Sequence, residues 1–453
     1  MDKIQLKEQV ETIRQAFGYV NSFKDETFVV KIDSSLLNHP FFPILIKDIV
    51  LLHRVGIKIV LVPGTKHRID EVLATYKITC RTVNGIRISP AEAIQYIKMA
   101  AFDVCNRIMT LLAENSANAI IGNWVKARAI GVRDGVDYLS SGTVEKLQTD
   151  IVKRIIGEGQ IPIFPNIGWN ARGKPYNISS NELALTISRE LGAAKLFFIT
   201  GFSGISAKKF KAPKSVYVSS DGTISQMTVE EAGHFIDLNA RVKHAAEMEL
   251  VTMAYHACRD GVRRVHIIDG RVEGMLLKEI FSNRGFGTMI YANQLDNIRP
   301  LMPADIPEVL RIIEPLVEEQ VLIPRTAQQI EEKADDYVVY EVDGTIHGCG
   351  ALHCFPDKSG EIAGIAVDSA YLNLGTGKKI VSYLIEKASK LKLKRLFVLT
   401  TQAADWFSEL GFQPGRLSDL PAEKRATYNT RRNSLILTYR ISSQRSRRRS
   451  VVE

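Results

Sequence analysis

From residue 27 to about 292, short apolar runs alternate with longer amphipathic stretches, and this rhythm limits the fold more than any other feature of the chain. The runs are 28–32, 57–62, 119–121, 161–164, 196–200 and 265–268. Stretches such as 90–115 and 181–192 lie between them and carry apolar residues at helical spacing. Strands separated by helices must cross over to pair again. That requires a layered α/β domain with a mainly parallel sheet. In such sheets a ligand sits at the carboxyl ends of the strands.

After the short stretch 293–299 (NQLDNIR), which reads as a linker, the rhythm changes. A helix over 304–319 precedes strands at 337–341 and 345–354, joined at Val342-Asp343-Gly344, where Asp-Gly signals a hairpin. The β-branched run 362–367 then ends in a turn, and Gly375 and Gly377 open a helix that begins with Lys378 and Lys379. A strand feeding a glycine loop at a helix N-terminus suits a pyrophosphate. Backbone N–H groups point outward there, and the helix dipole favours negative charge. A strand at 396–401, a helix at 403–410 and a strand at 434–441 complete an α+β domain over 300–441.

The two ends differ from both domains. In 1–26, Leu6, Val10, Ile13, Phe17 and Val20 form one apolar stripe on a helix, which needs a partner surface in the same domain or another subunit. Residues 442–453 carry four arginines and few apolar groups, and read as a solvated, disordered tail. The net charge of +9 fits anionic small molecules plus this tail better than nucleic acid. No apolar run is long enough to span a bilayer. The charged, amphipathic N-terminus is unlike a secretory signal. Five cysteines without a C-x-x-C pair argue for reduced thiols in the cytoplasm, and against a disulfide framework or a metal site.

The glycine loop resembles the acetyl-CoA loop of the GNAT acetyltransferases, with Val367, Asp368, Ser369, Ala370 and Tyr371 in the family's turn. Leu372 stands where that family usually has Arg or Gln. The stretch KRLFVLTTQAADWFSELGFQP (394–414) strengthens the likeness. Residues 175–205 and 261–271 resemble the amino-acid kinase fold of acetylglutamate kinases. That order of halves, with YNTRRNSLIL (428–437), resembles the bacterial N-acetylglutamate synthase family over nearly the whole chain. The resemblance implies a kinase-like regulatory domain over 27–292 and a GNAT domain over 300–441. It also implies acetyl transfer from acetyl-CoA to the α-amino group of L-glutamate in arginine biosynthesis, inhibition by L-arginine, and a homo-oligomer. A hexamer is favoured, with tetramer and dimer left open.

The resemblance also places the site. Glu361 matches the general base and Thr400 the hydroxyl that assists the leaving sulfur. Ile365, Ala366 and Val367 would hold the pantetheine arm by their backbone, and Gly375, Thr376, Gly377 and Lys378 would cradle the pyrophosphate. Arg325 and Arg432 match the substrate arginines, with Arg431 an immediate neighbour. Guanidinium forks suit a substrate with two carboxylates. The resemblance matches Tyr19, His266, Glu279 and Gly285 to the arginine pocket, although from sequence alone the favoured reading of His266 is a core histidine beside a strand. The kinase loops depart from their family. Lys31 remains, but Asp33 and Ser34 replace the glycine pair, only Gly64 persists in the second loop, and Asn181 stands where the organising aspartate belongs. Kinase activity is therefore not expected. A kinase or bifunctional enzyme, a decayed amino-acid sensor and a transferase for another amine are the competing readings.

Overall fold

The computed structural model describes residues 20 and 23–441, apart from 217, 220, 243–244, 282–285, 293–295, 343–344 and 369–374. The chain divides into two compact units, Met1–Gln294 and Leu295–Glu453. The N-terminal stripe except Val20, the hairpin turn Asp343-Gly344, Ser369, Ala370 and Tyr371 of the glycine-loop turn with Leu372, and the basic tail all lie outside the described residues.

All six apolar runs become strands of one eight-stranded sheet in the first unit. Its order is Gln226–Thr228, Thr288–Tyr291, Arg264–Asp269, Lys195–Thr200, Thr27–Ile32, Lys58–Pro63, Ile161–Ile163 and Ala119–Ile121. Every neighbouring pair is parallel except Arg264–Asp269 with Thr288–Tyr291. Helices cover both faces, so successive side chains of each central strand enter different cores. Phe28, Val30 and Ile32 face one core, together with Phe197 and Ile199, while Val29, Leu196 and Phe198 face the other. This is the period-two alternation of a strand buried on both sides.

The same unit holds a four-stranded closed barrel made of Val125–Ala129, Ser141–Leu147, Ile167–Trp169 and Pro175–Ile178. Glycines permit its tight curvature. A Cβ on Gly168 would lie 2.6 Å from Ala127 Cβ, and one on Gly142 would lie 2.8 Å from the Arg128 carbonyl oxygen. Its strands are too short and polar to be read as apolar runs, which is why the sequence pattern does not show them.

The second unit is a seven-stranded sheet in the order Asp296–Pro300, Tyr337–Val342, Thr345–Cys354, Ser359–Val367, Arg395–Thr400, Leu435–Arg440 and Gln413–Pro414. The expected linker 293–299 is corrected here, because residues 296–299 belong to the first edge strand, paired antiparallel with Tyr337–Val342. Helix Ile306–Glu318 packs on one face with Val339, Cys349 and Ala366. Helix Thr376–Lys390 packs on the other, through Ile380 and Leu384 against Leu352 and Ile362. Gly350 lets that helix approach closely, since a Cβ there would sit 2.8 Å from Ile380 Cγ2.

Candidate active site and regulatory pocket

The sheet of the second unit contains a seam. Ser359–Val367 and Arg395–Thr400 are its only parallel neighbours among the described residues, and they pair at just three positions, Ser359 with Arg395, Gly360 with Leu396 and Glu361 with Phe397. Beyond Glu361 the strands part. Ala366 and Val367 keep antiparallel pairing with Cys349 and Gly348 on one side, and face the opened seam on the other. A register shift between Cys349 and Ala351 marks a β-bulge opposite Gly364, whose φ is +60°. Bulges re-aim strands beside functional sites, and a positive φ favours glycine.

The sequence-expected residues gather around this seam. Glu361 is buried at its closed end. Thr400 ends the facing strand, and its hydroxyl oxygen accepts the Ala403 N–H at 2.9 Å, which leaves its own proton free to donate. Ile365, Ala366 and Val367 lie where the strands have parted. Gly375 caps helix Thr376–Lys390 with φ +72°, a conformation that costs any other residue about 1–2 kcal/mol. The N–H groups of Thr376, Gly377 and Lys378 precede the first intrahelical bond, which Lys379 makes to the Gly375 carbonyl at 3.0 Å. The Thr376 hydroxyl is buried without a hydrogen-bond partner among the described residues. A Cβ on Gly377 would meet the Trp406 ring at 3.2 Å, so the loop also rests on helix Ala404–Glu409.

The two arginines differ. Arg325 lies against the bulge, 2.5 Å from where a Gly364 Cβ would be. Its Nη1 is buried with no hydrogen-bond partner among the described residues. An unused guanidinium donor at a buried place is costly unless a ligand completes it. Arg432 is partly engaged, since its Nη2 donates to the carbonyls of Val321 at 2.7 Å and Gln320 at 3.1 Å. It therefore fastens the segment that leads to Arg325. Arg431 is exposed. Lys424 was not among the expected residues. Its Nζ pairs with Glu361 Oε2 at 2.7 Å, from helix Ala422–Ala426. No spacing rule points to it, because the two residues come from distant parts of the chain.

In the first unit, Lys31 is buried and pairs with Asp33 Oδ2 at 3.2 Å. Asp33 Oδ1 also accepts Ser35 N–H at 3.0 Å and the Ser35 hydroxyl at 2.7 Å. Burial alone would raise the Asp33 carboxyl, but the Lys31 charge and the Ser35 hydrogen bonds hold it below the usual carboxylate range. Gly64 packs close on this loop, for a Cβ there would meet Ser34 N at 2.9 Å. The lysine that would face a phosphate is thus neutralised by its own loop.

His266 and Glu279 do come together. His266 Nδ1 and Glu279 Oε1 are 2.8 Å apart, and each side chain is only 2% exposed. Burial pushes the His266 imidazole down to about 4, against the opposing effect of its hydrogen bond to the Glu279 carboxylate. Glu279 is held below its usual range: burial opposes ionisation, but the hydrogen bond and charge of His266 and the Phe286 N–H outweigh it. The Phe286 N–H donates to Glu279 Oε2 at 2.7 Å, and the His266 ring stacks on Phe197 with centroids 4.8 Å apart. His266 Nε2 is buried with no hydrogen-bond partner among the described residues. Tyr19 and Gly285 lie outside the described residues. Among those residues, no group of three His, Cys, Asp or Glu is placed to hold a metal, and no helix is long and apolar enough to cross a membrane.

Comparison with known proteins fits this division. Residues 26–269 match the amino acid kinase family, and residues 306–412 match the acetyltransferase (GNAT) family. A kinase-type sheet followed by a splayed acetyltransferase sheet defines a two-unit class of N-acetyltransferase. The amino-acid acetyltransferase of Pasteurella multocida is 32% identical over 446 residues, spanning 97% of this chain and 99% of that protein. That of Aeromonas salmonicida is 32% identical over 443 residues, 96% and 98% of the two chains. The crystal structure of N-acetylglutamate synthase from Neisseria gonorrhoeae with coenzyme A and L-arginine is 30% identical, with a TM-score of 0.80 over 96% of this chain and 99% of that one. The same enzyme with coenzyme A and N-acetyl-glutamate is 31% identical, with a TM-score of 0.59 and the same coverage. The chain belongs to the amino-acid acetyltransferase family, and its acetyl donor is acetyl-CoA.

Proposed function

We propose that this acetyltransferase acetylates the α-amino group of L-glutamate, the first step of arginine biosynthesis, and that L-arginine inhibits it through the kinase-like unit. The observation that carries the acceptor assignment is the buried, unpartnered Nη1 of Arg325, which lies against Gly364 of the strand that bears Glu361. A dicarboxylic amine supplies an acceptor for that donor while its nitrogen meets a base.

The residues divide the work. The free edge of Ile365, Ala366 and Val367 receives the pantetheine amides as an added strand. The outward N–H groups after Gly375 take the pyrophosphate, with the Thr376 hydroxyl and Lys378 charge beside them. Glu361 takes the ammonium proton directly or through one water, and the amine then attacks the thioester. Thr400 donates its hydroxyl proton toward the departing sulfur. Arg325 and Arg432 hold carboxylates.

For regulation, the buried His266–Glu279 pair supplies a carboxylate and an open imidazole nitrogen. The gonococcal relative was crystallised with arginine, which supports the same effector here. The apolar stripe of 1–26 supports a homo-oligomer, with a hexamer favoured, and light scattering measures it. The experiment for the whole reading is an amine panel with acetyl-CoA, with and without arginine, following free thiol. Glutamate is expected to be the best acceptor and arginine to lower its rate. No thiol release with glutamate, or ADP formed from ATP and N-acetylglutamate, overturns it.

A further inference from the structure

The Lys424–Glu361 pair occupies the proposed base. Glu361 is 7% exposed in this pair and Lys424 27%, so the lysine reaches inward from the surface to meet a carboxylate that is almost enclosed. Its helix, Ala422–Ala426, has no buried residue. Pulling such a pair apart strands a charge, which is strongly unfavourable unless each partner is given a replacement. A simple amine replaces only Lys424, and a simple carboxylate replaces only Glu361. An α-amino acid carries an ammonium and a carboxylate on one carbon, so it satisfies both at once.

We infer that Lys424 is a substrate-binding residue that recognises the α-carboxylate of the acceptor by ion-pair exchange. The incoming ammonium takes the place of Lys424 on Glu361, and the adjacent α-carboxylate takes the place of Glu361 on Lys424. The exchange delivers the amine to the group that removes its proton. It leaves the buried donor of Arg325 for a further carboxylate. Amines without a neighbouring anion are rejected, because they would leave Lys424 unpaired. This inference rests on the reading of Glu361 as the base.

The test compares two acceptors, L-glutamate and its α-amide, in full-length wild type, K424M and K424R. Losing one charge-assisted hydrogen bond corresponds to roughly 10- to 100-fold in the KM for glutamate. K424M should show that rise with the KM for acetyl-CoA unchanged, less than about 3-fold change with the α-amide, and substantial rescue in K424R. Equal losses with both acceptors, or no loss with glutamate, overturn the inference. K424Q makes the same comparison if K424M does not fold. The base reading fails separately, if E361Q keeps wild-type turnover.

Discussion

Each unit holds a lysine beside a carboxylate, and the two pairs behave in opposite ways. In the kinase-like unit, Lys31 and Asp33 are two positions apart on the same chain segment, and Ser35 fixes the carboxylate further. Both partners of that pair come from one short stretch of chain. In the acetyltransferase unit, Glu361 and Lys424 are joined from distant segments, and the lysine sits on a short surface helix. The same unit holds unsatisfied donors, on Arg325 against Gly364 of the strand that bears Glu361 and on Thr376 at the glycine loop. A site whose polar groups satisfy one another locally is closed to ligands, whereas buried donors without partners mark a place where a ligand belongs.

Substitutions can break this contrast. The largest effect belongs to Glu361→Gln, expected to lower kcat by about 100- to 10,000-fold, the usual worth of a positioned base, while coenzyme A binding is retained. Steady-state thiol release with a binding titration checks it, and near-normal turnover removes Glu361 from the chemistry. Arg325→Ala should raise the KM for glutamate about 10- to 100-fold and leave that for acetyl-CoA within about threefold. A parallel rise in both would mean that Arg325 supports the bulge and not the acceptor. Gly375→Ala, which forces a side chain into φ +72°, should raise the KM for acetyl-CoA by about 5- to 30-fold, the equivalent of about 1–2 kcal/mol.

A fourth measurement concerns the buried pair of the first unit. His266 titrates near 4 in the folded protein against about 6.5 when unfolded, so between those values the unfolded chain binds the extra proton. The contribution of His266 is present above about pH 6.5 and lost as pH falls toward 4. Glu279, held below its ordinary range, adds a loss in the same direction at lower pH. Melting curves should therefore fall less steeply over this window in His266→Gln than in wild type. Identical slopes would contradict the buried neutral imidazole. The smallest effect on acetyl transfer is expected from Asp33→Asn, which should leave turnover unchanged while lowering stability by roughly 3–5 kcal/mol, because the buried Lys31 ammonium loses its carboxylate. A drop in turnover would show that the kinase-like loop is not silent.

Much of this architecture is legible in the residues. The alternation of runs such as 28–32 and 196–200 gives the large sheet because strands buried on both faces must be apolar throughout. The glycine loop is equally readable, since Gly375 does adopt the conformation that its type permits. Two things are not readable. The barrel strands such as Val125–Ala129 alternate too weakly and briefly to stand out. Residues 296–299 look like a polar linker because an edge strand need not be apolar. At the site, the family resemblance brings Glu361, Thr400 and Arg325 into view but misses Lys424, since a contact between distant segments leaves no local pattern.

The seam between Ser359–Val367 and Arg395–Thr400 has a mechanical consequence. Three rungs are the whole backbone connection between those neighbouring strands, so the sheet is divided there into two plates. A pantetheine arm lying along the parted edges would act as a splint across them. Loading the donor and stiffening the catalytic unit would then be a single event. At a concentration 100 times its dissociation constant, such a ligand adds about 2.7 kcal/mol of resistance to unfolding. A rise in melting temperature on adding coenzyme A alone would report how far the plates depend on it.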